Sequence, residues 1–174
     1  MNKENLKEKF IAYFGEEKWN EEEMLREIFE FQMFCCEFLK VVPIPVVVEE
    51  MEEDSRYYVE ENYIALSKKC ITDKIEACKC VVHELRHYYQ HLVIELKLDE
   101  EYRNVWEYEF KKRITAKDLD SDEQLLKYIT QSIEMDAFAF QKYMIKEYFD
   151  IDTEIYGFEY DMLLQFHIED TIKK

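Results

Sequence analysis

Along most of the chain apolar residues recur every three or four positions, the spacing that lines one face of an α-helix. Leu6, Phe10, Ile11 and Phe14 form the first such stripe, and Gly15 closes it. Met24, Ile28, Phe31, Phe34, Cys35 and Phe38 form the second. Asn20 is its expected N-cap, with Glu23 at the N3 position. It runs to about Lys40, where Val41-Val42-Pro43-Ile44-Pro45 ends it, since proline cannot continue a helix.

The pattern then shortens. Val46-Val47-Val48, Arg56-Tyr57-Tyr58-Val59 and Tyr63-Ile64-Ala65-Leu66 are β-branched or aromatic runs bounded by acidic turns. They predict a small, mainly antiparallel, three-stranded meander. Helical spacing returns from 75 to 96 with neither Gly nor Pro, behind Thr72 as the expected N-cap and Asp73 near the positive end of the helix dipole. Another helix is predicted from Asp99-Glu100-Glu101 through Tyr102, Val105, Trp106 and Phe110 to Lys111-Lys112-Arg113. Ser121, with Gln124 at N3, opens the next, whose stripe is Leu126, Ile129, Ile133, Ala137, Phe140 and Met144. Asp152 starts a polar connection, and 160–172 predicts a last helix. No repeat or linker interrupts 1–174, so one mostly helical α+β domain is expected, its small sheet lying just before the 75–96 helix.

Composition narrows what such a domain does. At 174 residues, with 48% hydrophobic residues, the chain can bury a core. Its net charge of −17 argues against nucleic acid and against an anionic membrane surface as partners, because both need clustered Lys and Arg. No apolar run approaches the length of about 20 residues that spans a bilayer. Met1-Asn2-Lys3-Glu4-Asn5 leads into no apolar signal core, and the five cysteines include no C-x-x-C pair. They are expected as reduced thiols of a cytoplasmic protein.

Chemistry concentrates in the 75–96 helix, in His83-Glu84-Leu85-Arg86-His87. On a helix, residues i and i+4 share one face about 6 Å apart. Two imidazoles so placed can reach one zinc ion at about 2.0–2.1 Å. Glu84 leans toward the same ion without being a ligand, and is placed to act as general base on a zinc-activated water. A zinc hydrolase needs a third protein ligand. His91 is excluded, since eight helical residues carry it about 12 Å from His83. His167, Glu134 and Asp136 remain. The two acids interrupt an otherwise apolar helix beside the small residues Ala137 and Ala139, which permit close helix approach. Asp136 falls nearer the apolar stripe, so periodicity makes it the more buried acid. Tyr88 and His167 are candidate donors to a developing oxyanion.

A strand hairpin, a helix bearing His83-Glu84-Leu85-Arg86-His87, and a helix bearing Glu134-x-Asp136-Ala137-x-x-Phe140 together resemble the ImmA/IrrE-type metallopeptidases, which are gluzincins. The resemblance spans roughly 63–144. It implies a zincin-like fold, zinc held by His83, His87 and Glu134, Glu84 as general base, and cleavage of peptide bonds in a protein or peptide substrate. Asp136 takes the place of the family's second acid. Arg86 stands where Gly is usual and Gln141 where Ala is expected, and 47 residues (134 − 87) separate the two motifs. The helix predicted near 100–113 accounts for that gap. Two other readings are a non-catalytic zinc-binding or acidic protein-interaction domain, and an SprT-like module with His167 as third ligand.

Overall fold

The computed structural model describes residues 21–98, 101–112, 114 and 121–172. The helix expected over 6–14 and the Asn20 cap lie outside them. Helix α1 (Glu21–Leu39) leads into strands β1 (Val46–Glu49), β2 (Ser55–Tyr58) and β3 (Tyr63–Ser67). A short 3-10 turn (Cys70–Thr72) precedes α2 (Lys74–Glu95), followed by α3 (Arg103–Lys112), α4 (Asp122–Ile129), α5 (Ser132–Phe149) and α6 (Phe158–His167). A π turn (Ile168–Ile172) ends the described chain. None of these helices is long and apolar enough to cross a membrane.

The sheet is mixed, which corrects the expected antiparallel meander. Its order is β1-β3-β2. β1 runs parallel to β3, with Val46 opposite Ile64, and β2 runs antiparallel to it, with Ser55 opposite Leu66. β3 takes the centre because it is the strand that is buried almost throughout, from Ile64 to Ser67. The acidic run after β1 is long enough to carry the chain past the end of β3. There Asp54 O accepts from Ser67 N–H and Glu49 O accepts from Lys68 N–H. In an antiparallel ladder alternate residues point their backbone groups at the partner strand. Asp54 does so, so Ser55 and Tyr57 turn theirs to the open edge.

Asp73, and not Thr72, caps α2. Its backbone is extended and its carboxylate accepts from Glu76 N–H at 3.0 Å. Thr72 is spent in the preceding turn, where its hydroxyl donates to Lys69 O at 2.7 Å. Ser121 caps α4 as expected, accepting from Gln124 N–H.

The single helix predicted from Ser121 to Met144 is broken in two. Gln131 is extended, at φ −60° and ψ 138°, and its side chain bonds both backbone groups of Ile114. The new N-terminus at Ser132 is satisfied from another element. Glu109 of α3 accepts from Ser132 N–H at 3.1 Å and from Ile133 N–H at 2.9 Å. Leu126, expected on the buried stripe, is therefore 58% exposed, while Ile129, Ile133, Ala137, Phe140 and Met144 are buried. The main core joins α1, α2 and α5 through Ile28, Phe31, Val81, Leu85, Phe140 and Met144. Val93, Trp106 and Ile133 form a second, smaller cluster. α2 is thus covered by the sheet, α1 and α5, and its middle is interior.

Candidate metal centre

Burial of the middle of α2 turns His83 and His87 inward, 7% and 3% exposed. Their rings lie 4.8 Å apart and nearly perpendicular. The first turn of α5 brings Glu134 against them. Glu134 Oε2 lies 3.2 Å from His83 Nε2 and 3.5 Å from His87 Nε2. The three residues form a group able to hold a metal ion, with ligand atoms within 4.8 Å of one another.

Two imidazole nitrogens and a carboxylate oxygen are a donor set suited to zinc. Ligand atoms bound tetrahedrally at about 2.0–2.1 Å sit roughly 3.3–3.4 Å apart, and the two observed separations bracket that value. The hydrogen-bond network adds a second test. Gln90 Nε2 donates to Ile133 O at 3.0 Å and to Asp136 Oδ2 at 2.7 Å. Its Oε1 is therefore the end that meets His87 Nδ1 at 2.8 Å, so Nδ1 carries the proton of that imidazole. In the neutral ring Nε2 then turns a lone pair toward the Glu134 carboxylate. Two electron-pair donors facing each other in a buried site call for a proton or a cation between them. Among the described residues Glu134 Oε2 has no hydrogen-bond partner, nor has buried His83 Nδ1. Burial opposes the ionisation of Glu134, but positive charge at the facing imidazoles, His87 first and then His83, outweighs it and holds the carboxyl well below the usual range, as a bound cation in the same place would.

Asp136, also on α5, faces away from the His pair and is fully buried. Arg86 donates to it twice, from Nε at 2.7 Å and from Nη2 at 2.9 Å. The guanidinium lies over the Tyr89 and Phe140 rings, 4.6 and 5.1 Å from their centroids. His167 Nε2 stands 3.1 Å from Asp136 Oδ1. The structure thus brings His167 to Asp136 and not to the His83–His87 pair. Burial again opposes ionisation, and Arg86, His167 and Gln90 more than offset it, so this carboxyl lies far below the usual range. Through Gln90, the Arg86–Asp136 pair orients His87.

Glu84 is not in the metal-competent group. Its Oε1 accepts from Ser55 Oγ at 2.9 Å and its Oε2 from Tyr57 N–H at 2.8 Å. The open edge of β2 therefore fixes both oxygens of the carboxylate one residue along from His83. All four residues line one cleft of about 640 Å³.

Tyr128, which the sequence reading passed over, also lines this cleft. Burial raises the pKa of its phenol far above the ordinary value, and the negative charge of nearby Glu134 adds to the shift, so the hydroxyl keeps its proton. On an unbroken helix six residues turn through about 600°, leaving positions 128 and 134 on different faces. The break at Gln131 is what lets both reach the cleft. Tyr88, an earlier candidate donor, is buried with its ring 5.7 Å from that of Tyr57. Tyr156 completes the rim with a left-handed backbone, φ 55°, followed by Gly157 at φ 95°. Its ring meets Phe138 edge-on at 5.5 Å. Compared with protein-family models, with curated proteins and with solved structures, the chain gives no significant match.

Proposed function

We propose that the chain is a zinc-dependent peptidase that hydrolyses a peptide bond in an extended segment of a protein substrate. The observation that carries this reading is the convergence of His83, His87 and Glu134 beside a fourth side chain, the Glu84 carboxylate, which two donors hold separately. When bound, zinc supplies Lewis acidity, acidifying a water and polarising a carbonyl.

The remaining work falls to side chains of the cleft. Glu84 accepts the proton of the attacking water and returns it to the leaving amine. The Tyr57 N–H and Ser55 hydroxyl keep its oxygens from swinging away. Tyr128, protonated and facing the cleft, donates to the oxyanion that forms as the carbonyl is attacked. β2 is an edge strand; Glu84 takes its Tyr57 N–H, and an extended peptide laid beside it gains backbone hydrogen bonds from the remaining edge groups. The pattern is gluzincin-like, and we place it nearest the ImmA/IrrE type.

The test is metal analysis of the purified chain together with digestion of an unfolded labelled protein. About one zinc per chain, and chelator-sensitive cleavage that disappears in Glu84→Gln while zinc stays bound, are expected. A chain that takes up no added zinc overturns the reading. Zinc without cleavage leaves a zinc-binding module.

A further inference from the structure

Two thiols meet beside this cleft. Cys80 lies on α2, one turn before His83, and lines the cleft wall. Cys70 lies in the 3-10 turn after β3. Their sulfurs are 3.5 Å apart, with the Cys80 S–H donating to Cys70. Both are free thiols. The other three cysteines, Cys35, Cys36 and Cys78, are sealed in the core at 2% exposure or less. Cys80 is half-buried and within reach of small solutes entering the cleft.

We propose that Cys70 and Cys80 form a peroxide-reactive dithiol that closes to a disulfide in the wall of the cleft. A disulfide needs an S–S distance of about 2.05 Å, so the two sulfurs must approach by roughly 1.5 Å in total. Cys70 sits on a three-residue turn between β3 and α2, where rotation of a side chain disturbs little of the core. One sulfur, as thiolate, attacks an oxygen of hydrogen peroxide; the O–O bond breaks, hydroxide leaves and a sulfenic acid remains. The second sulfur, giving up its proton, then displaces hydroxide from that sulfenic acid. Two S–H bonds are lost, one S–S bond forms, two electrons pass to the peroxide and two waters result. The hydrogen bond from Cys80 lowers the pKa of Cys70, which favours the thiolate there.

The pair has a neighbour of consequence. The Cys80 thiol lies beside Ser55, whose hydroxyl donates to Glu84. Closing the disulfide draws Cys80 from Ser55 and alters the support of Glu84. Formation of the bond does not depend on the peptidase reading, and its test is a chemical map.

The purified chain is treated with hydrogen peroxide, its remaining thiols are alkylated, and it is digested with trypsin without reduction. Peptides 70–74 and 80–86 should appear joined and two hydrogens lighter than the separate thiols, while peptide 75–79, which carries Cys78, is found unlinked. Added dithiol should restore both thiols. Cys80→Ser should abolish the linked species, and Cys78→Ser should leave it. Peptides 70–74 and 80–86 that remain separately alkylated, that carry sulfinic acid, or that pair with Cys78 or a second chain would overturn the proposal.

Discussion

Arg86 and Asp136 are joined at two points, 2.7 and 2.9 Å, by side chains that are 7% and 0% exposed. A buried pair of this kind adds little net stability over a well-packed apolar pair, yet removing one partner strands the other charge. Its use here is positional. Asp136 accepts from Gln90, and Gln90 holds His87. Arg86, where the resembled family has Gly, is thus part of the support of the candidate metal centre.

The first prediction follows from Asp136 alone. Its carboxyl is held far below the usual range despite burial, by Arg86, His167 and Gln90. A depressed pKa in the folded state means that the unfolded chain takes up the proton first. The stabilisation is therefore complete above the unfolded value of about 3.9 and drains as pH falls from there toward the folded value. Asp136→Asn should cost about 3–5 kcal/mol at pH 7, because Arg86 loses its counter-charge. It should also show a shallower loss between about pH 5 and pH 3 than the parent. Urea unfolding of both proteins across that range measures the difference, and parallel curves would remove Asp136 from the acid response.

Zinc affinity separates ligand from support. Glu134→Ala removes one of three ligand groups and should abolish stoichiometric binding. Gln90→Ala leaves all three, releasing the His87 ring along with the bonds to Ile133 O and Asp136, so a loss of about 10–100-fold is expected. Titration with a competing chelator reads both. Equal affinity in Glu134→Ala and the parent would take the ligand role from Glu134.

How much of this was legible in the sequence differs from residue to residue. His83, Glu84 and His87 depend only on a helix passing through them, and an unbroken run without Gly or Pro announces one. Ser121 as a cap was equally local. The sheet was not: the central position of β3 depends on burial against α2, which no strand's own pattern displays, so a meander was the simplest reading. The break at Gln131 was hidden for the same reason. Residues 121–144 keep helical spacing throughout, and what divides them is Ile114 bonded to Gln131 and Glu109 capping Ser132 and Ile133. Both partners come from distant segments. Periodicity favoured Asp136 as the buried acid, and it is fully buried, but Glu134 is 1% exposed as well. Burial did not distinguish them. Direction did, and direction depends on where α5 begins.

That dependence makes Glu109 testable. It satisfies two backbone N–H groups at the N-terminus of α5, two residues before Glu134. Glu109→Ala leaves those groups without it and should cost about 1–2 kcal/mol, the range for a lost N-cap. Because the first turn of α5 carries Glu134, zinc affinity should fall with stability. Thermal melts with and without zinc report both. A variant as stable as the parent would mean that Gln131 alone fixes the break.

Tyr128 is the sharpest test of the chemistry. Two roles compete for it: packing at the cleft wall, and donation to the oxyanion. Phenylalanine keeps the ring and removes only the hydroxyl, so packing is preserved by design. If the hydroxyl acts in the transition state, Tyr128→Phe should lower kcat by about 100–1,000-fold, the usual cost of one oxyanion donor, with KM little changed. Zinc content and melting temperature should stay near those of the parent, because Glu134 still faces both imidazoles. Tyr88→Phe provides the contrast, since that ring meets Tyr57 edge-on and is not among the cleft-lining residues, and it should leave kcat unaltered. A Tyr128→Phe enzyme of full kcat would return Tyr128 to the wall of the cleft and leave the oxyanion to the metal alone. A fall in zinc affinity in step with the fall in kcat would instead mark the hydroxyl as a support of Glu134, whose charge stands beside it.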